Sequence, residues 1–429
     1  MLKYLIIGAG PAGLATAVAL KKAAIPFEMV DAGQKVGGIW DIERGDTPMY
    51  DSAHFISSKT LSGFEDFPMP KDYPDYPSHR LVQAYLEAYA THHGLAKNIQ
   101  FRTSVETVES QGTNWKVAFA GREPGIYQGV ICATGITWHQ NLPSIEGNFD
   151  GTFLHSFDYR DTRIFEGKRV LIIGGGNSGC DIACDAARVA EKAFISLRRG
   201  YYFLPKYTLG MPSDLFKHQY KLPSKYLDKK VSEWLLNKVL VGNLENYGLP
   251  KPDHGLMESH PIMNSRLLHY LGHGDIVAKK DVATFAGNTV VFTDGTTEQI
   301  DVVIAATGYK RAFPFLAESL VPKTEGKQEI DLYLEVFSKQ YDNLFFVGGI
   351  EVASAVFGLF SLQGALIAAY LKARKNSSNR YQRFLSDKRT KQVNLTGKNK
   401  YIASMRHQRY VDKALYQKIL QQQLKSFQP

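Results

Sequence analysis

The stretch Lys3-Tyr4-Leu5-Ile6-Ile7-Gly8-Ala9-Gly10-Pro11-Ala12-Gly13 decides the fold. Residues 3–7 are an apolar run that reads as a buried parallel strand, residues 11–24 as a helix and 26–31 as a second strand. Between the first two, Gly8 permits a tight turn, Gly10 lets a pyrophosphate approach the backbone, and Gly13 lets the helix pack closely on its strand. The helix N-terminus, entered through Pro11 and Ala12, favours an anion. Asp31, eighteen residues beyond Gly13, ends the second strand, where a carboxylate accepts hydrogen bonds from ribose hydroxyls. An apolar start carrying Lys3 also looks like a signal peptide. Three glycines and an acid in register favour the nucleotide-binding turn.

A second copy of the pattern begins at Lys168. Residues 169–173 form the strand, Gly174-Gly175-Gly176-Asn177-Ser178-Gly179 the turn, and a helix runs through residue 188. Here the second strand, residues 194–198, ends in Ser196-Leu197-Arg198-Arg199 rather than in an acid. An acid selects a free 2′-hydroxyl, whereas arginine pairs with a 2′-phosphate, so this site is expected to prefer NADPH to NADH. Lys206 adds charge. Two further segments, Cys132-Ala133-Thr134-Gly135 and Ala305-Ala306-Thr307-Gly308-Tyr309, each follow an apolar strand and end in glycine. That form suits a chain crossing between domains beside a cofactor; a plain strand-exit turn gives it too.

Working outward, 429 residues suggest two to three domains, and 44% hydrophobic with 22% charged residues exclude disorder, collagen-like repeats and disulfide-stapled miniproteins. Three cysteines fit a reducing compartment, so a cytoplasmic location is expected. The net charge of +9 is uneven: residues 372–429 hold fifteen Lys/Arg against Asp387 and Asp412, giving +13 and leaving −4 for the rest. A helical face packed on the body explains such a tail better than acidic lipid or nucleic acid does. No nucleic-acid partner is expected, while peripheral membrane contact and a homodimer through the tail stay open. Residues 352–371 carry no charge and are long enough to span a bilayer. Gly358, Ser361, Gln363 and Gly364 dilute them, and a buried helix reads the same way.

Four prolines make residues 66–78 a loop, after which Leu81, Tyr85, Leu86 and Tyr89 recur at helical spacing. Strands are expected at 115–120, 127–133, 290–292, 301–305 and 344–347, and helices near 229–240 and 410–424. The path of residues 201–273 is irregular. Cys180 and Cys184 stand four apart on a helix, which is core packing rather than a redox pair. His269 and His273 lack an acidic or thiol partner nearby, so no metal site is expected.

The chain resembles class B flavin-dependent monooxygenases, specifically the flavin-containing monooxygenase family. The resemblance rests on the paired glycine turns, on Gly37-Gly38-Ile39-Trp40, and above all on Phe149-Asp150-Gly151-Thr152-Phe153-Leu154-His155-Ser156-Phe157-Asp158-Tyr159, which fits the family's FxGxxxHxxxY pattern. GGGNSGCDIA, the FEDFPMP loop and the ATGY turn look similar as well, and the tail's RHQRYVD is a weaker likeness. The resemblance implies an α/β fold of two Rossmann-like dinucleotide-binding domains, pyridine-nucleotide-disulfide-reductase-like. An FAD domain in two segments, 1–160 and 306–375, would enclose an NADPH domain, 161–305, with a basic extension at 376–429. FAD would meet Gly8, Gly10, Pro11, Ala12, Gly13, Asp31, Gly38, Ile39, Trp40, Ser57, Val105, Thr134, Gly135 and Gln363. NADPH would meet Gly174, Gly176, Asn177, Ser178, Gly179, Arg198, Arg199, Lys206, Thr307 and Gly308.

The reaction the resemblance implies inserts one atom of O2 into a small nucleophile through a C4a-hydroperoxyflavin, or into a ketone in some members. The cofactor performs that chemistry while the protein orients it and excludes water, so no catalytic triad is expected and His155 would hold the interdomain crossing. One departure stands out. Where the family often shows Asn in an Asn-x-x-Lys stretch beside the flavin, this chain reads Ile56-Ser57-Ser58-Lys59. Either Ser57 or Ser58 substitutes, or reducing power leaks to H2O2; the second is expected. An uncoupled NADPH oxidase or reductase and a non-catalytic nucleotide sensor are the competing functions. Tyr159-Arg160-Asp161 departs from the Trp-Pro ending of type I Baeyer–Villiger enzymes, which favours a sulfide, an amine or an electron-rich ring such as indole over a ketone.

Overall fold

The computed structural model describes every residue except 1, 221–224, 318, 322, 325–326, 329, 377, 398, 403–408 and 429; three residues of RHQRYVD, 406–408, lie outside the described residues. The opening apolar run is buried along its whole length as β1 (Tyr4–Ile7), as a strand covered on both faces must be. Next come α1 (Pro11–Lys22) and β2 (Phe27–Val30). Proline is tolerated in the first turn of α1 because its missing N–H would have no helical partner there. The chain continues through α2 (His79–His92) and β3 (Ile99–Gln100). An antiparallel ribbon follows, β4 (Val105–Gln111), β5 (Asn114–Phe119) and β6 (Arg122–Tyr127), and then β7 (Gly129–Cys132).

The second unit is built from β8 (Thr152–His155), β9 (Arg169–Ile173), α3 (Asn177–Ala186), β10 (Lys192–Ser196), α4 (Lys225–Leu235), α5 (Arg266–His273), β11 (Ile276–Lys279) and β12 (Val302–Ala305). The chain then returns to the first sheet as β13 (Leu332–Tyr333), β14 (Phe337–Ser338) and β15 (Leu344–Phe346). It closes with α6 (Phe357–Lys375), α7 (Asn379–Thr390) and α8 (Lys413–Ser426). The first sheet runs β13-β14-β15-β7-β1-β2-β3 and the second β8-β12-β9-β10-β11. In each, the strand that feeds the glycine turn has its second strand on one side and a strand leading to a crossing segment on the other. That reversal of strand order is where α/β sheets open a crevice for ligands.

One boundary moves. Residues 152–155, placed with the first unit by a division at 160, form the edge strand of the second sheet, paired in parallel with β12. Gly151 makes the approach possible, since a Cβ there would stand 2.5 Å from the Asp301 carbonyl oxygen.

The uncharged stretch becomes α6, and its lack of charge has a packing cause. It lies against α1, with Gly364 so close that a Cβ would meet Thr16 Cα at 2.8 Å, and its Tyr370 packs on Tyr381 and Phe384 of α7. Among the described residues no helix is long and apolar enough to cross a membrane. The basic tail spends charge on the body. Lys388, fully buried, donates to the carbonyls of Ser338 (2.6 Å) and Tyr341 (2.9 Å) and pairs with Asp342 at 2.8 Å. Arg389 shares Asp342, and Arg409 pairs with Glu335. A lysine is tolerated in such a place because it is fully partnered. Cys180 and Cys184 are buried in the core of the second unit. The rings of His269 and His273 lie 4.0 Å apart, and no group of three metal-ligating side chains gathers among the described residues.

Candidate functional site

The two glycine turns are near-copies. Gly8 and Gly174 have φ of 109° and 111°. A Cβ on Gly8 would stand 2.5 Å from the carbonyl oxygen of Ala133, and one on Gly174 would stand 2.6 Å from that of Ala306. Each crossing segment is thus pressed against the first glycine of its fingerprint, in a conformation that side-chain-bearing residues rarely adopt. Gly13 and Gly179 lie where a Cβ would be 2.0 Å from the oxygen of Gly8 and of Gly174 respectively, which brings each helix down on its strand.

The first turns of α1 and α3 have no side-chain cap and no acidic residue, so their positive N-termini face the crevice. Above Gly10 and Gly38 there is bare backbone: a Cβ on Gly10 would meet Gly38 Cα at an ordinary 3.6 Å. The Thr134 hydroxyl beside Gly8 is buried without a hydrogen-bond partner among the described residues. An orphaned donor over a glycine cradle at a helix N-terminus fits a dinucleotide's diphosphate.

Around the first turn, Asp31 is 6% exposed and already occupied. Its Oδ2 accepts from the Ala9 N–H (2.7 Å), and its Oδ1 accepts from the Gly33 N–H (2.7 Å) and Arg44 Nη1 (3.0 Å). The carboxylate first fixes the loop, and its remaining lone-pair capacity is what a ribose would use. Arg44 stacks over Trp138 at 4.6 Å, a cation–π contact at the first crossing. Gly38, Ile39 and Trp40 form a 3-10 turn in which Thr47 Oγ1 bonds the Ile39 carbonyl (2.6 Å) and Trp40 meets Phe55 edge-on. Val105 opens β4, two residues after Thr103, whose N–H bonds the Asp31 carbonyl at 2.9 Å. Gly135 turns the first crossing at φ 77°.

Three candidate side chains, Gln363, Ser57 and Ser58, have partners within the protein. Gln363 is wholly buried, its Oε1 accepting from the Gly348 N–H (3.0 Å) and its Nε2 donating to Tyr416 (2.9 Å), so it positions Gly348. Ser57 Oγ donates to Ser62 Oγ at 2.8 Å, because the Ser62 hydroxyl gives its own proton to the Ser58 carbonyl (2.7 Å). Ser58 gives both its N–H (2.7 Å) and its hydroxyl (2.9 Å) to Asp214.

Around the second turn, Arg198 is exposed and has no ion-pair partner among the described residues, whereas Arg199 pairs with Asp253 at 3.1 Å. Gly176 is the N-cap of α3. Asn177 Oδ1 accepts from the Met263 N–H (3.0 Å), and Ser178 faces Tyr50. Lys206 lies over the ring of Tyr76, 5.2 Å from its centre, and burial lowers its pKa while Asp181 opposes the shift. Asp181 receives hydrogen bonds from Asn264 (2.7 Å) and Tyr50 (3.2 Å), and burial pushes its pKa up to about 6.

The crossings join the two turns. His139–Gln140 and Tyr309–Lys310 pair antiparallel, Asn141 bonds Gly308 and Thr307, and Thr307 Oγ1 bonds the Asn141 carbonyl at 2.6 Å. His155 accepts the Phe157 N–H on Nδ1 (3.1 Å), so its Nε2–H donates to the Gly308 carbonyl (3.0 Å). Burial lowers its pKa and keeps it neutral. Tyr159 ends the motif by donating to Asp185 on α3 (3.1 Å). Arg44, Trp138, Tyr50 and Asp181 are the members of this site that the sequence did not announce. They meet across long separations, and no spacing rule links them.

A family model described as flavin-binding monooxygenase-like matches residues 2–422. The chain is 32% identical over 399 residues to flavin-containing monooxygenase 3 of Homo sapiens, covering 86% of this chain and 74% of that protein. It is also 32% identical over 401 residues to human flavin-containing monooxygenase 5, covering 86% and 73%. Among solved structures, S-allyl-L-cysteine S-oxygenase from Allium sativum superposes with a TM-score of 0.68 at 21% identity, covering 99% of this chain and 88% of that one. Cyclohexanone monooxygenase bound to epsilon-caprolactone gives 0.72 at 16% identity, covering 98% and 97%. OTEMO in complex with FAD and NADP gives 0.68 at 18%, covering 90% and 88%. These likenesses show the same fold, and two nucleotide cradles tied together by paired crossings make sense as one machine: the chain belongs to the flavin-binding monooxygenase family and is an NADPH-dependent flavoprotein that uses FAD.

Proposed function

We propose that this enzyme inserts one atom of O2 into a small soft nucleophile, a sulfide, an amine or an electron-rich ring such as indole, with the other atom leaving as water and NADPH supplying two electrons. FAD in the first cradle supplies the redox chemistry when bound. The chain's own residues do the holding. The N-terminal turn of α1 with Gly10 takes the diphosphate of FAD, and Asp31 offers its spare lone pairs to the ribose. The N-terminal turn of α3 takes the diphosphate of NADPH, and Arg198 its 2′-phosphate. His155, neutral and bonded at both nitrogens, keeps the crossings in register rather than moving a proton.

What favours a heteroatom or aromatic ring over a ketone is the residue after Tyr159. Arg160 donates to the carbonyls of Phe157 (2.6 Å) and Tyr159 (3.0 Å) and reaches Gly45 in the first unit. It therefore fastens the motif's end with charge-assisted hydrogen bonds where ketone-inserting relatives carry Trp-Pro. A panel of sulfides, amines, indole and ketones, followed by NADPH loss and oxygenated product, tests the reading. Ester formation from ketones faster than every other product would overturn it.

A second reading, partial uncoupling, has its own observation. Isoleucine at 56 offers no hydrogen bond, and the hydroxyls of Ser57 and Ser58 are committed to Ser62 and Asp214. Part of the reducing power is then expected to leave as H2O2. Peroxide measured per NADPH consumed tests this, and near-complete coupling with a good substrate would remove it.

A further inference from the structure

Arg311 follows the Tyr309–Lys310 strand that returns the chain to the first unit. Its side chain turns inward, 16% exposed, over the ring of Phe313 at 5.1 Å. Nε and Nη1 are buried and have no hydrogen-bond partner among the described residues. The carboxylate of Glu335 stands 3.9 Å from Nη1, beyond hydrogen-bond reach. That carboxylate is also held by Arg409 from the tail, which donates a further bond to the Ile330 carbonyl at 2.9 Å. Two guanidinium groups therefore share one carboxylate, and a positive charge is left over inside the protein. Burial, with Arg409 nearby, pushes the pKa of Arg311 down to about 10, so it remains a cation at neutral pH. A buried donor left unmatched is costly, and native proteins keep one where a ligand completes it.

The surroundings say which ligand. A Cβ on Gly349 would stand 2.4 Å from Arg311 Nη2, so the guanidinium occupies the place of a side chain there. The preceding residue, Gly348, lies where a Cβ would be 2.7 Å from the Cβ of Ala12 in the first turn of α1. Cys132, at the end of β7, feels the same guanidinium. The spare cation thus sits against Gly349 at the C-terminal edge of the first sheet, and the glycine before it packs on the first turn of α1.

We propose that Arg311 is an FAD-binding residue whose free guanidinium edge donates to the diphosphate–ribityl stretch of the cofactor. Gly349 is glycine so that the guanidinium can lie against its backbone. Arg409 is hydrogen-bonded to Glu335, so Arg311 has only a share of that carboxylate, as an ion pair at 3.9 Å. The inference rests on the first unit being the one that holds FAD.

The test is titration of apoprotein with FAD, followed by flavin fluorescence, for wild type and for Arg311→Met, Gly349→Ala and Gly10→Val. Each variant's apo form is also melted, and the midpoint potential of the bound flavin is measured. Arg311→Met is expected to weaken FAD binding about tenfold to a hundredfold, the range for a charged hydrogen bond. Its apo form should melt no lower than wild type, because an uncompensated buried charge has gone, and the flavin potential should move little. Gly349 does not have a positive φ, so alanine fits its backbone. Gly349→Ala should weaken FAD binding by pushing the guanidinium aside.

An unchanged FAD dissociation constant in Arg311→Met overturns the proposal. So does a lower-melting apo form with unchanged affinity, which would mark Arg311 as a structural partner of Glu335. A large shift in potential at unchanged affinity would place the contact on the flavin ring and likewise overturn it. If Arg311→Met fails to fold, unchanged affinity in Gly349→Ala is enough to reject it. Gly10→Val separates the two layers: loss of FAD there with full affinity in Arg311→Met sinks the proposal alone, whereas intact affinity in Gly10→Val sinks the placement of FAD as well.

Discussion

The two nucleotide units repeat one turn almost atom for atom and then part company. The hypothetical Cβ contacts at Gly8 and Gly174 are 2.5 and 2.6 Å, and those from Gly13 and Gly179 to the alanine of the crossing are 3.3 and 3.2 Å. Yet just past the second strand stands Asp31 in one unit, whereas in the other Leu197 follows the strand and Arg198 comes next. The helices differ as well: the position held by Ala15 on α1 corresponds to Asp181 on α3. Alanine is there because α1 lies under α6, where a Cβ on Gly364 would be 3.2 Å from the Ala15 carbonyl. Aspartate is there because α3 faces Tyr50 of the first unit. The lesson is that backbone approach to a diphosphate sets the turn, whichever dinucleotide is bound. The rim charge and the neighbouring element set everything else.

The strongest way to break this equivalence is to add one methyl group to each unit. Gly13→Ala and Gly179→Ala would each force a Cβ against a carbonyl oxygen at 2.0 Å. Both are expected to cost about 3 kcal/mol by overpacking and to empty their own unit of its nucleotide. Thermal melting with FAD and NADP+ titrations checks this; a large loss in one unit and none in the other would end the parallel.

Next in size, Arg198→Ala is expected to raise KM for NADPH roughly tenfold to thirtyfold while leaving that for NADH nearly unchanged. Equal losses for both nucleotides would mean that the arginine does not read the 2′-phosphate.

A smaller effect separates the helices. The pKa of Asp181 in the folded state, about 6, is above its ordinary value of 3.8. The folded protein thus holds the proton more tightly than the unfolded chain, and stability falls as pH rises from about 4 to 6. Going from pH 7 to 5, wild type should gain about 1 kcal/mol relative to Asp181→Asn. Parallel pH profiles of denaturant midpoints would count against a half-buried, protonatable Asp181.

Smallest of all, Ile56→Asn is expected to lower peroxide per NADPH roughly two- to threefold through one regained hydrogen bond. Because Ile56 belongs to neither turn, both nucleotide affinities should stay put.

Much of this was legible in the chain because the β–turn–α signals are local. An apolar run, three glycines and a helix lie within about twenty residues, and hydrophobic periodicity reports them directly. The strands at 4–7, 169–173 and 302–305 follow from burial on both faces. Less was legible where partners come from far away. The edge strand at 152–155 depends on Asp301, and Gln363 depends on Tyr416, fifty-three residues on. Nothing in Ser57-Ser58 foretells Asp214, and nothing near Arg311 foretells Arg409. The α5 and α7 helices were missed for the same reason, since their apolar faces show only against α3 and α6. The tail's charge was readable, but its use was not, because Lys388 declares its buried partners only once Ser338 and Asp342 are in place.

The placement of β1 in the middle of the first sheet, between β2 and β7, with β15 beyond β7, also bears on how the chain is made. On the ribosome, residues 146–305 form a nearly contiguous block and can close the second unit early, since domains fold as they emerge. The first unit cannot close then: its sheet waits for residues 344–346, and its tyrosine lock on Gln363 waits for residue 416. A nascent chain stalled between those points would carry one finished nucleotide cradle and one open sheet edge at β7, a surface prone to pairing with other chains. The segment from residue 306 to residue 346, which ends in β15, is therefore also the one that closes this exposure to aggregation.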